Sequence, residues 1–341
     1  MDLFTQAKTL FMPIDNWEAD NPKILILNGT HECLEYIPQT ANCHIWQPFY
    51  PYAQKCKSHL VKSFDELEGN YDYVFILPTK QKEETYGLIA HGFKALKGEG
   101  TLIISAANDA GGQRLPKIFK NLGCTTEHLS KNHAKTLWTQ KDSGTLDLSQ
   151  LDEWLKNAAP KQHSLLDLQT QAGIFGWNKI DKGSELLSTF LPNDLKGPIA
   201  DFGCGYGYLS IKALELNPEI ETIHGYDADL RSAALYEKNL KTHTPKTSIQ
   251  SFWTDLTDKK NAPHNTYKTI LMNPPFHEGK KSDSNIGTDF IKTASNSIKL
   301  GGTLYMVANK QLPYEQTLAK NFKKVELLTE QNGFKCYKAI K

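Results

Sequence analysis

Two short motifs in the second half of the chain carry residue types that could do chemistry. The first is Gly203-Cys204-Gly205-Tyr206-Gly207, with Asp201 two residues upstream in the apolar run Ile199-Ala200-Asp201-Phe202 and Tyr208-Leu209-Ser210-Ile211 downstream. This reads as a strand, a glycine turn and the start of a helix. Glycines let backbone approach a ligand closely, and a helix N-terminus presents unpaired N–H groups, so a polar cofactor can lie over the turn. Asp227 closes the next apolar stretch, Thr222-Ile223-His224-Gly225-Tyr226, where a carboxylate would accept hydrogen bonds from ribose hydroxyls. The second motif is Asn273-Pro274-Pro275-Phe276. The Asn273 side-chain oxygen and the Pro274 carbonyl could each accept one N–H of an amino group. An amine on an aromatic ring is a poor nucleophile because its lone pair is delocalised, and two such acceptors favour a pyramidal nitrogen with that pair free. Phe276 would stack on the ring.

A dinucleotide-binding turn uses the same logic but is spelled GxGxxG, its third glycine packing helix against strand. Here the spacing is GxGxG. With Asp201 before it and Asp227 after it, the pattern resembles the signature of class I methyltransferases. That resemblance implies S-adenosylmethionine as cofactor, held by Asp201 (facing its amino-acid part), Gly203, Cys204, Gly205, Gly207 and Asp227, with Asn273 serving cofactor and acceptor alike. Asp255, in Trp253-Thr254-Asp255-Leu256 after a third strand, is placed to meet the adenine amino group. The sulfonium supplies the leaving group, so the protein's task is positioning and electrostatics, and no strong base is required. Stacking on Phe276 would contribute about 1–3 kcal/mol, and a nucleobase target must be unpaired or flipped out. The residues alone specify an exocyclic amine. Adenine N6 and a protein glutamine amide remain open, as does a non-catalytic RNA-binding assembly factor.

The elements that must position these motifs are present twice. Tyr71-Asp72-Tyr73-Val74-Phe75-Ile76-Leu77-Pro78 reads like Tyr267-Lys268-Thr269-Ile270-Leu271-Met272-Asn273-Pro274, a buried strand entering a proline-marked loop. Leu96-Lys97-Gly98-Glu99-Gly100-Thr101-Leu102-Ile103-Ile104 and Leu300-Gly301-Gly302-Thr303-Leu304-Tyr305-Met306 are each a glycine turn running into a strand. Each half closes on what reads as a hairpin, around Asn132-His133 and Asn332-Gly333. Short apolar strands alternating with amphipathic helices predict an α/β fold. The expectation is two tandem Rossmann-like methyltransferase domains, at 1–150 and 165–341, each a mostly parallel seven-stranded sheet flanked by helices with an antiparallel edge strand. The boundary should fall between about 142 and 165, near the polar Asp142-Ser143-Gly144-Thr145. In the first half the equivalent strand Lys23-Ile24-Leu25-Ile26-Leu27 enters Asn28-Gly29-Thr30 with a single glycine, so only the C-terminal copy is expected to bind cofactor. The N-terminal copy is expected to be silent and to serve as a scaffold or RNA grip.

Composition sets the outer limits. With 341 residues, 39 Lys+Arg against 38 Asp+Glu, and 39% hydrophobic residues, the chain reads as an ordinary cytoplasmic protein of two domains. Nothing in the balance announces a polyanion binder, so any such site must be a local patch. No leader or membrane-spanning run is expected. The 6 cysteines form no CxxC pair or zinc-like spacing, so neither disulfide nor metal is expected.

The sequence is further similar to the ribosomal RNA small subunit methyltransferase C family. The similarity rests on Gly173-Ile174-Phe175, Asp181-Lys182-Gly183-Ser184-Glu185-Leu186-Leu187, Asp201-Phe202-Gly203-Cys204-Gly205, Asn273-Pro274-Pro275-Phe276-His277-Glu278-Gly279 and Val307-Ala308-Asn309-Lys310-Gln311-Leu312-Pro313-Tyr314. It is specific over 170–341 and weaker before. It implies methyl transfer to N2 of one guanine of 16S rRNA, in the assembled 30S subunit, by a monomer. The pattern departs at Gly176-Trp177, where a serine would follow Phe175. Lys280, Lys281 and Lys310 are candidate RNA contacts. A large-subunit guanine is the nearest alternative target.

Overall fold

The computed structural model describes residues 1–67, 69–244, 246–275 and 283–341. It divides into two compact units, Met1–Pro160 with Gln171–Gly173, and Lys161–Thr170 with Ile174–Lys341. The strands of the first unit are β1 (Lys23–Leu27), β2 (Asn42–Trp46), β3 (Leu60–Val61), β4 (Tyr71–Ile76), β5 (Leu96–Ala107), β6 (Glu127–Lys131) and β7 (Ala134–Gln140), ordered β3-β2-β1-β4-β5-β7-β6. Its helices are α1 (Leu3–Phe11), α2 (Tyr50–Ala53), α3 (Lys82–Ala95), α4 (Leu115–Asn121) and α5 (Leu148–Ala158). The second unit opens with a short hairpin, β8 (Lys161–Gln162) and β9 (Gln169–Thr170). Its main sheet follows with β10 (Ile199–Phe202), β11 (Thr222–Asp227), β12 (Ser248–Trp253), β13 (Tyr267–Met272), β14 (Ile298–Asn309), β15 (Lys324–Gln331) and β16 (Phe334–Ile340), ordered β12-β11-β10-β13-β14-β16-β15. Its helices are α6 (Lys182–Ser188), α7 (Tyr208–Leu216), α8 (Leu230–His243), α9 (Asp283–Ser297) and α10 (Glu315–Asn321).

The two seven-stranded sheets therefore share one topology, as the duplicated sequence predicts. Only β7 and β16 run against the rest, and each lies one place in from the edge, which β6 and β15 occupy. This corrects the expected antiparallel edge: the second arm of each hairpin inserts between the long strand and the first arm. The hairpin turns, Asn132-His133 and Asn332-Gly333, all have positive φ, the conformation that matches the twist of flanking strands. The repeated glycine turns also have a common cause. A Cβ on Gly100 would stand 2.8 Å from the Tyr71 carbonyl, and one on Gly302 would stand 2.8 Å from that of Lys268. At both places the parallel register shifts, between Tyr71 and Tyr73 and between Tyr267 and Thr269.

In the second unit alternate residues of β10 face opposite layers. Ala200 and Phe202 join a core with Ile270, Met272, Leu304 and Met306, while Ile199 joins Leu209, Leu214, Tyr236 and Leu240 on the side of α7 and α8. Strand alternation therefore turns Asp201 toward α7 and α8. Among the described residues, no helix is long and apolar enough to cross a membrane, and no cluster of His, Cys, Asp and Glu could hold a metal ion.

Candidate functional site

The second unit's glycine turn leaves β10 between its parallel neighbours β11 and β13, and the N–H groups of Gly203 and Cys204 both donate to the Tyr226 carbonyl, at 2.8 and 3.1 Å. Gly203, Gly205 and Gly207 all have positive φ. Gly207 needs both its conformation and its missing side chain, since a Cβ there would meet Leu240 at 2.6 Å. Gly207 also precedes α7 with no side-chain cap, whereas Asp181 and Asp229 cap α6 and α8 with their carboxylates. The first N–H groups of α7 thus remain for a ligand.

Asp201 is 1% exposed, and its Oδ2 accepts the Ser210 hydroxyl at 2.7 Å. Ser210 also meets the Tyr236 hydroxyl at 3.0 Å. Asp201 Oδ1 is buried without a hydrogen-bond partner among the described residues. Burial first, and the Asp227 charge second, push the Asp201 carboxyl up to about 7. Asp227 keeps more of its surface in solvent, and burial lifts it less, to about 6. Its Oδ2 accepts the Gly205 N–H at 2.9 Å and its Oδ1 that of Asp229 at 2.8 Å, so it braces the glycine turn. Cys204 is buried and its thiol is raised well above the ordinary value by burial, which makes it an inert packing group.

These shifts fix a pH dependence. From the ordinary value of 3.8 to about 7 the folded protein holds an Asp201 proton that the unfolded chain has released. Stability should fall as pH rises across that window, by up to about 1.4 kcal/mol per pH unit, with the loss complete above it. Thermal melts of the cofactor-free protein from about pH 5 to about pH 8 check this. Asp201→Asn should flatten the profile above about pH 6, where the Asp227 carboxyl no longer adds to it, and an unchanged slope there would contradict the assignment.

Asn273 follows β13 beside this turn, its carbonyl facing the Gly203 α-carbon, where a Cβ would be 3.4 Å away. Its Nδ2 donates to Asp181 Oδ1 at 2.9 Å and to Ser184 Oγ at 2.8 Å. Asp181 Oδ1 is acceptor-only and also receives the Ser184 N–H at 2.8 Å. Both amide hydrogens are therefore consumed, which fixes the amide and leaves Oδ1 as the group Asn273 can offer to another molecule. Asp181 and Ser184 were legible in the sequence only as part of a family motif; their hold on Asn273 was missed. Pro274 is buried and Pro275 exposed, while Phe276, Lys280 and Lys281 lie outside the described residues.

A cleft lined by Phe175, Gly176, Asp181, Asp201, Gly205 and Asn273 thus unites Asp201, Gly203, Cys204, Gly205 and Asn273, with Gly207 and Asp227 behind the turn. Gly176, at the departure from the family pattern, takes a positive φ, and Phe175 is 58% exposed at the cleft. Asp255 is not among the lining residues. It follows β12, its Oδ1 held by the Thr257 N–H at 2.8 Å and hydroxyl at 2.6 Å, with Oδ2 unengaged among the described residues. Lys310 is exposed, and its ammonium pairs with Glu330 at 2.6 Å across the end of the sheet.

The residues present fit S-adenosylmethionine. The orphaned Asp201 oxygen suits an ammonium, the Gly205 turn is open where a Cβ would meet nothing, and the start of α7 suits a carboxylate. The first unit fills the same positions with its own side chains. Sheet register makes Leu27 the counterpart of Phe202: each closes its strand, Leu27 pairing Trp46 and Ile76 and Phe202 pairing Tyr226 and Met272. Ile26 then stands for Asp201, Asn28 for Gly203, Gln47 for Asp227 and Leu77 for Asn273. Asn28 retains the positive φ and the bond to the adjacent strand, to Trp46 O at 2.7 Å, but its Nδ2 closes onto the Leu77 carbonyl at 3.0 Å. Buried Gln47 donates to the Gly29 carbonyl at 2.8 Å. Neither carboxylate has a counterpart there.

Comparison with known proteins agrees with this architecture. Residues 165–338 match the family model described as methyltransferase small domain. Proteins named ribosomal RNA small subunit methyltransferase C are similar along the chain. That of Shewanella pealeana is 28% identical, covering 96% of this chain and 93% of its own length, and that of Acinetobacter baylyi is 30% identical, covering 77% of each. A solved structure from T. thermophilus, described as the 16S rRNA N2 G1207 methyltransferase in complex with AdoMet and guanosine, superposes with a TM-score of 0.79 over 99% of this chain and 92% of that one, at 18% identity.

Proposed function

The chain belongs to the ribosomal RNA small subunit methyltransferase C family, with a methyltransferase small domain at 165–338, and on that premise we propose that it transfers a methyl group from S-adenosylmethionine to the exocyclic N2 of one guanine of 16S rRNA. The observation that carries the chemistry is the fixed amide of Asn273, whose Nδ2 is fully engaged at 2.8 and 2.9 Å beside the glycine turn. The particle acted on is the assembled 30S subunit, met in the cytoplasm by a monomer.

When bound, the cofactor supplies a methyl group on a sulfonium leaving group. Asp201, Gly203, Gly205, Gly207 and Asp227 hold it, and Asp255 serves its adenine end. Asn273 Oδ1 and the Pro274 carbonyl accept the two N–H groups of the guanine amine, draw its lone pair out of conjugation and aim it, while Phe276 stacks on the base. The methylated nitrogen is acidic enough to release its proton to water, so no buried base is needed. The first unit, with Asn28 and Gln47 bonded into the space of a cofactor, is catalytically silent and serves as a scaffold or RNA grip. Calorimetry should accordingly count one cofactor per chain; two would refute this.

Asp181 is a positioning residue in this scheme. Asp181→Ala should lower kcat by about 10–100-fold, in the range of misplacement effects, and cost about 1 kcal/mol through the lost cap. Asp181→Asn keeps an oxygen facing Ser184 N and Asn273 Nδ2 and should retain most of the rate. Equal losses in both variants would show that the carboxylate acts otherwise. Labelled cofactor offered with 30S or 50S particles tests the target: label should enter the 30S only, and label confined to the 50S would move the assignment to the large subunit.

A further inference from the structure

We propose that a patch of the first unit, formed by Phe49, Tyr52, Lys55, Lys57 and Lys62, binds an unpaired stretch of the RNA substrate; this rests on the reading that the substrate is RNA. The chain is nearly neutral, with 39 basic against 38 acidic residues, so a polyanion must be met by a local concentration of charge. Between Tyr36 and Phe64 the sequence has no Asp or Glu, and its lysines are Lys55, Lys57 and Lys62. The corresponding stretch of the second unit is mixed, holding Asp227, Asp229 and Glu237 with Arg231, Lys238 and Lys241.

The fold brings Phe49, Tyr52 and Lys62 to one end of the sheet, with Lys55 and Lys57 on the connection between β2 and β3. β2 and edge strand β3 are parallel, and Trp46 pairs with Val61 where both strands end. Phe49 and Tyr52 follow the first exit, Lys62 follows the second, and Lys55 and Lys57 lie on the connection Gln54–His59 that returns the chain to the start of β3. Ligand sites of open α/β sheets lie at this carboxyl end. All three lysines are exposed, and none has a carboxylate within ion-pair distance among the described residues. Two acids border the patch: Glu32 attracts Lys55, and Glu66 accepts the Lys62 main-chain N–H at 3.2 Å. Phe49 is 42% exposed, its ring 5.5 Å from the half-buried ring of Tyr52. Exposed aromatic rings and ammonium groups without a carboxylate partner, carried on one acid-free segment, suit single-stranded RNA, bases stacking on rings while phosphates meet lysines.

The test uses the full chain, with binding to 16S rRNA fragments followed across salt. Lys55→Ala/Lys57→Ala/Lys62→Ala should weaken RNA binding about tenfold or more and reduce the slope of log K against log salt by about 2, the contribution of three single-strand phosphate contacts. Cofactor affinity should not change, and the three lysine-to-arginine replacements should keep wild-type RNA affinity. Phe49→Ala/Tyr52→Ala should weaken binding with little change of slope. Wild-type affinity and slope in the triple alanine variant would overturn the patch alone. A wild-type protein with no affinity for RNA would overturn the parent reading and the patch together.

Discussion

Replacing Asn273 by alanine is expected to abolish measurable turnover while leaving cofactor affinity within about twofold of wild type, the signature of a group that acts in the transition state. The side chain touches the fold through Asp181 and Ser184, and its backbone, which packs against Gly203, is kept in the variant. Asp181 still caps α6 through the Ser184 N–H at 2.8 Å, so the loss of the amide should not unravel the helix. What disappears is an oriented acceptor for an amine whose positive charge grows as the methyl arrives. Loss of one such preorganised group costs about 10²–10³ in kcat. Single-turnover methylation with calorimetry on the same preparation checks both halves; unaltered turnover would remove Asn273 from the mechanism, and lost cofactor binding would make it a structural residue.

Asp227→Ala should fail in the opposite way, at the cofactor. Its two oxygens hold the Gly205 and Asp229 N–H groups at 2.9 and 2.8 Å, so its removal frees the turn besides deleting the proposed ribose acceptor. A hydrogen bond to a charged acceptor is worth about 1.5–3 kcal/mol, so losing the ribose contact should raise the cofactor Kd by about 10–10²-fold, with the loosened turn adding to that. At saturating cofactor much of kcat should return, because Asn273 is held by a separate set of bonds. A Kd unchanged from wild type would mean that neither the brace nor the ribose contact matters.

The two motifs and the doubled fold were legible because their signals are local. Glycines at Gly203, Gly205 and Gly207, an Asn332-Gly333 turn, and short runs such as Thr269-Ile270-Leu271-Met272 each state a backbone requirement within a few residues. The hold on Asn273 was not legible, because Asp181 and Ser184 lie 92 and 89 positions away and only the fold sets them together. The Asp201–Ser210–Tyr236 network is hidden for the same reason: a serine and a tyrosine inside helices read as ordinary residues until strand alternation turns Asp201 onto them. The ion pair of Lys310 with Glu330 on β15 is likewise set only by the fold. The proposed silence of the first unit rests, in the sequence, on a single glycine. Its physical basis, an Asn and a Gln bonded into the corresponding positions, emerges only from the register of both sheets.

The most direct test of the account is the identity of the modified nucleoside. The protein, S-adenosylmethionine carrying a labelled methyl group, and 30S particles lacking the modification should yield label in 16S rRNA as N2-methylguanosine at a single position. Label recovered as N6-methyladenosine, or in ribosomal protein with the RNA unlabelled, would contradict it.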